Sequence, residues 1–110
     1  MRITYNKLIR DNIPAIITAT GKPFETDAYD ESGYQQALRQ KLVEEAEEVR
    51  ASRSETETIK EIADLYEVVD ALLAASGISR ETVLAKQQQR RDERGGFGSR
   101  LQLLWVEEAD

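Results

Sequence analysis

Six carboxylates in two short stretches are the residues best suited to chemistry: Glu44, Glu45, Glu47 and Glu48, then Glu61 and Asp64. The 110 residues contain no His and no Cys. Imidazole bases, thiol nucleophiles and the usual zinc ligands are thereby excluded, and any metal site must be built from oxygen, which selects magnesium, manganese or calcium. On a helix, like charges three or four apart repel by roughly 0.2–0.5 kcal/mol per pair, so the first run has a cost to offset. At about 100° per residue, Glu45 lies about 60° and Glu48 about 120° from Leu42, both on one flank of an apolar stripe, while Glu44 and Glu47 point further outward. The same geometry puts Glu61 in line with Leu65, Val68 and Leu72, inside an apolar arc, with Asp64 one step to its side. A carboxylate in that position must be protonated, bridged to a base or bound to a cation. If the two flanks face each other, four carboxylates converge, and magnesium suits such a cluster because it keeps positions for water or substrate phosphates. The bland alternative is a solvated acidic face, which Glu44 and Glu47 fit well.

Cations supply the complementary half of a phosphate site. Lys86, Arg90 and Arg94 recur every fourth residue on one helical face, and Arg94 runs into Gly95-Gly96-Phe97-Gly98. Such a turn can present backbone N–H groups to an anion, and Phe97 can stack on a base, although a solvated helix closed by a glycine accounts for the same residues. Lys7 and Arg10 near the N-terminus read either as surface charges or as further phosphate ligands. Carboxylates for a cation, with Lys and Arg for phosphate oxygens, are together what a metal-phosphate substrate requires.

These residues must be positioned by helices. Asn12 to Gly21 reads as a short helix with Asn12 as cap, Pro14 in its first turn and Gly21 as its stop. Leu38, Leu42, Ala46 and Val49 give a helical stripe over about 32–51. Ser54-Glu55-Thr56-Glu57 has the form of a capping box, opening a helix that runs to Ser76 and stops at Gly77, with Ile62, Leu65, Tyr66, Val69, Leu72 and Leu73 on its apolar face. Ser79 caps a further helix through about Arg94, which should lie on the surface because its only clustered apolar residues are Val83, Leu84 and Ala85. Short strands are expected near 24–29 and 100–106, paired with each other. The expectation is a mainly α helical bundle in a single domain, residues 1–110.

Composition narrows the class. A chain of 12.5 kDa with 40% hydrophobic and 33% charged residues can fold as one globular domain. The net charge of −6 argues against a duplex nucleic-acid partner, since that binding depends on neutralising phosphates with Lys and Arg. No apolar run reaches membrane-spanning length and the N-terminus lacks a signal-peptide core, so no membrane partner and a cytoplasmic location are expected. Two narrow apolar stripes enclose little core, which predicts a homo-oligomer, most simply a dimer sharing a four-helix bundle.

Leu42-Val-Glu44-Glu45-Ala-Glu-Glu48 followed by Glu61-Ile-Ala-Asp64-Leu resembles the paired ExxE and ExxD motifs of the MazG-like all-alpha nucleoside triphosphate pyrophosphatases, a superfamily that includes dimeric dUTPase and phosphoribosyl-ATP pyrophosphohydrolase. The opening Tyr5-Asn-Lys-Leu-Ile-Arg-Asp-Asn-Ile-Pro14 and the closing Glu93-Arg-Gly-Gly-Phe97 resemble its predicted house-cleaning subgroup, which often has a basic residue where this chain has Asn12. The resemblance implies that Glu45, Glu48, Glu61 and Asp64 hold magnesium, with manganese as a substitute, and that Glu44 orients the attacking water. It implies a nucleotide substrate cleaved between its α and β phosphates, with Lys7, Arg10, Lys86, Arg94, Gly95, Gly96 and Phe97 contacting it. Phosphoribosyl-ATP hydrolysis, as in histidine biosynthesis, is the rival activity. Ala63-Asp-Leu-Tyr66 suits it, but Glu67 stands where that enzyme would have His. A noncatalytic helical module that only binds nucleotide or a partner protein is the third alternative.

Overall fold

Asp30 and Ser54 decide where the two long helices begin. In the computed structural model, which describes residues 1–109, the chain forms α1 (Ile13–Ala19), α2 (Glu31–Ala51), α3 (Glu55–Ser76) and α4 (Arg80–Arg94). Asp30 is extended, and its carboxylate accepts from the Gly33 backbone N–H at 2.7 Å; Ser54 does the same for Glu57 at 3.1 Å. Each satisfies a donor that the first turn leaves without a partner. Glu57 completes a variant of the expected capping box, accepting from the backbone N–H of Arg53 rather than of Ser54, at 2.8 Å. Gly77 closes α3 in the left-handed conformation at φ 66°, where a side chain would be strained.

The residues group into two compact units, Met1–Ile78 and Ser79–Asp110. Within the first, α2 and α3 form an antiparallel hairpin. Gln35, near the start of α2, donates to the Ala75 carbonyl near the end of α3 at 2.9 Å, while Ser52 at the far end of α2 meets Thr58 at 2.8 Å. Between these polar clasps the core is small: Ala37, Leu38 and Val68 are buried, with Leu38 only 2% exposed. Leu42, Val49, Ile62, Leu65, Val69, Leu72 and Leu73 are half-buried around them, as the helical periodicity predicts. Two expected core positions face outward instead. Ala46 and Tyr66 are exposed, because the α2–α3 contact is narrower than the apolar arc drawn from the sequence.

Three expectations require correction. Asn12 does not cap α1 through its side chain: it is already helical, at φ −88° and ψ −3°, and its carbonyl accepts from Ile16. Neither expected strand forms; among the described residues there is no strand near 24–29 or 100–106. A strand requires a backbone ladder, and among the described residues the second segment has instead a turn, with the Arg100 N–H on the Phe97 carbonyl. The apolar side chains Leu101, Leu103, Leu104, Trp105 and Val106 remain exposed. No helix is long and apolar enough to cross a membrane among the described residues.

Candidate active site

The antiparallel register lays the second half of α2 beside the first half of α3, which is where both acidic motifs fall. Ligand oxygens of Glu45, Glu61 and Asp64 lie within 4.8 Å of one another. Their side chains are 12%, 14% and 30% exposed, so the three charges sit at the edge of the apolar contact rather than in free water. Glu48 is exposed one turn along α2 from Glu45 and is not one of the three, although its charge acts on Lys60. The donor set is all oxygen, with a close-set triad and room for further ligands from solvent, which fits a hard divalent ion.

Each member of the triad is engaged by a cation of the chain. Lys41 Nζ stands 3.8 Å from Glu45 Oε1, Lys60 Nζ 3.1 Å from Glu61 Oε1, and Arg10 Nη1 3.1 Å from Asp64 Oδ1. Lys60 also lies 3.9 Å from Asp64, and Arg10 3.9 Å from Glu67. Lys41 and Lys60 were not singled out from the sequence. Their signal was present, since each precedes a triad carboxylate by four residues, the spacing of a helical ion pair. The pattern is common on surface helices and becomes informative only once the carboxylates are known to converge.

Adjacent carboxylates are tuned in opposite directions. Burial raises the pKa of Glu45; Lys41 opposes this, and the charges of Asp64, Glu44 and Glu61 add to it. Glu44 shifts downward, chiefly through its hydrogen bond from Lys7, against some desolvation and with help from Lys41. Its Oε1 accepts from Lys7 at 3.1 Å and from Lys41 at 3.3 Å. Glu44 is therefore a strong acceptor and a poor base.

Lys7 and Arg10, three residues apart on the segment preceding α1, thus reach different helices, Lys7 to α2 and Arg10 to α3. The remaining expected substrate ligands belong to the second unit. There Lys86 donates to Gln89 at 2.8 Å, Gly95 ends α4 at φ 82° with its N–H on the Arg91 carbonyl, Arg94 and Gly96 are exposed, and Phe97 is 98% exposed.

Against known proteins, the family model described as phosphoribosyl-ATP pyrophosphohydrolase matches residues 12–91. That span takes in both acidic motifs, Lys41, Lys60 and Lys86; Lys7, Arg10 and Arg94 to Phe97 lie outside it. Searches of curated proteins and of solved structures returned no match.

Proposed function

Because the chain belongs to the phosphoribosyl-ATP pyrophosphohydrolase family, we propose that it hydrolyses a nucleoside triphosphate between the α and β phosphates with the help of magnesium. One water is consumed; its oxygen bonds to the α phosphorus as the bridge to the β phosphate breaks, releasing a nucleoside monophosphate and pyrophosphate. The observation that carries this reading is the convergence of Glu45, Glu61 and Asp64 within 4.8 Å. These three hold the ion, and Glu48 is placed one turn away on α2 to serve as a fourth carboxylate. When bound, magnesium supplies positive charge to the phosphoryl oxygens and lowers the pKa of water, and manganese can replace it.

The chain's own groups do the rest. Glu44 holds Lys7 and Lys41 through one carboxylate oxygen, keeping two ammonium groups beside the acidic triad, where they counter the charge that develops on phosphate. With its lowered pKa, Glu44 orients water as an acceptor rather than removing a proton from it.

The test is a pyrophosphate-release screen over normal and modified nucleoside triphosphates and phosphoribosyl-ATP, run with magnesium beside Glu61→Gln. Turnover of a triphosphate, reduced at least about 100-fold in the variant, is the expected result; that figure is the upper range for losing a group that merely supports a metal ligand. No turnover of any substrate, or full activity in Glu61→Gln, would overturn it. Turnover of phosphoribosyl-ATP alone would select the activity in the family's name.

A further inference from the structure

Of the three cations that hold the acidic triad, two come from the helix that carries their carboxylate: Lys41 lies four residues before Glu45, and Lys60 immediately before Glu61. Either can leave by rotating its own side chain. Arg10 differs, because 54 residues separate it from Asp64 and it arrives on another segment of the chain. A ligand that takes the Asp64 carboxylate therefore acts on that segment as well as on the site.

The Arg10 guanidinium is already divided between two acids. Nη1 lies 3.1 Å from Asp64 Oδ1, and Nη2 lies 3.9 Å from Glu67 Oε1. Glu67 follows Asp64 by three residues, so it is the next acid along the same face of α3. Lys7 has its own partner in Glu44, outside the triad, and Leu8 and Ile9 between the two cations are half-buried. The segment thus keeps one anchor when the Arg10 contact to Asp64 is given up.

We propose that Arg10 is a positioning residue displaced by the divalent ion: it neutralises Asp64, then passes to Glu67 when a cation takes that carboxylate, and from there presents its guanidinium to the nucleotide's phosphates. The proposal rests on the divalent-ion reading given above. The physical reason is repulsion, since a guanidinium and a divalent cation cannot both occupy one carboxylate oxygen without opposing each other. Glu67, which already faces Nη2, lessens the loss by accepting the guanidinium that Asp64 releases. Ion binding and the Arg10–Asp64 pair are consequently linked, each weakening the other by the same factor. Phosphate contact by Arg10 is then favoured only after the cation is in place.

Calorimetric titration of the chelator-treated full-length chain with manganese chloride, without nucleotide and at about 0.15 M salt, tests this. Arg10→Gln should bind manganese about two- to fivefold more tightly than the wild type, the range expected for removing a competing exposed ion pair. Arg10→Lys should return toward wild-type affinity. Glu67→Gln should weaken binding only while Arg10 is present, so that its effect vanishes in the Arg10→Gln background. Arg39→Gln, which removes a cation bonded to Gln35, should change nothing. With the helical fold intact by circular dichroism, an unchanged or weaker affinity in Arg10→Gln overturns the proposal, as does equal tightening in Arg39→Gln. A wild-type chain that binds no manganese, or a Glu61→Gln variant that binds it equally well, overturns the metal reading itself and this inference with it.

Discussion

Glu44 and Glu45 share a turn of α2, yet their carboxyls are shifted in opposite directions, Glu44 downward by lysine contacts and Glu45 upward by burial. The separation suits them to different work: Glu44 keeps its charge to lower pH, and Glu45 takes up a proton more readily. The sign follows from linkage. Glu45 with a raised pKa penalises the folded state where it is charged, and the penalty is relieved as pH falls from its folded pKa toward the ordinary 4.5. Glu44 with a lowered pKa adds stability above its unfolded value, which is lost as pH falls through its folded one. Protons should therefore begin to compete with manganese at a pH above the ordinary carboxylate midpoint. Calorimetric affinities measured from neutral pH downward should show this early decline, and a decline confined to pH 4.5 or below would count against it.

At the scale of elements, the site depends on the α2–α3 hairpin holding its register. Two polar clasps fix the ends, Gln35 to Ala75 and Ser52 to Thr58, and the apolar contact between them centres on Leu38. With so few buried neighbours, any cavity takes a large share of the packing. Leu38→Ala should destabilise the chain by about 2–5 kcal/mol, the range for truncating a buried leucine. Denaturant unfolding followed by circular dichroism measures this, and a loss below about 1 kcal/mol would show that the hairpin does not rely on that contact. Both long helices are legible in the sequence from apolar residues at helical spacing, and the α3 cap from Ser54; the Asp30 cap of α2 is not, because an aspartate in a stretch without helical period gives no sign of where the next helix starts. The expected strands near 24–29 and 100–106 rest on side-chain type alone, and side-chain type cannot supply a ladder partner.

Across the molecule, the apolar surface outside the small core is extensive. Ile59, Ala63 and Tyr66 line one face of α3 at positions i, i+4 and i+7, and Val43 and Ala46 are exposed on α2. We propose that a second copy of the chain covers this surface, since two such hairpins can combine into a four-helix bundle whose core neither encloses alone. Light scattering at micromolar concentration should give a dimer or larger assembly, and Tyr66→Glu should shift it toward monomer. A monomeric wild type would remove the idea.

Residue type and local spacing were enough for the helical class, the limits of α3 and α4, the oxygen-only chemistry and the two acidic motifs. Glu61 stood out from its position inside an apolar arc, and its side chain is only 14% exposed. Tertiary structure decided which carboxylates meet. Glu45, Glu61 and Asp64 converge within 4.8 Å while Glu48 lies outside that set, a result that depends on the rotation and register of α2 against α3. It also decided the identity of their counter-ions, since Arg10 reaches Asp64 across 54 residues, a pairing that no local pattern can express.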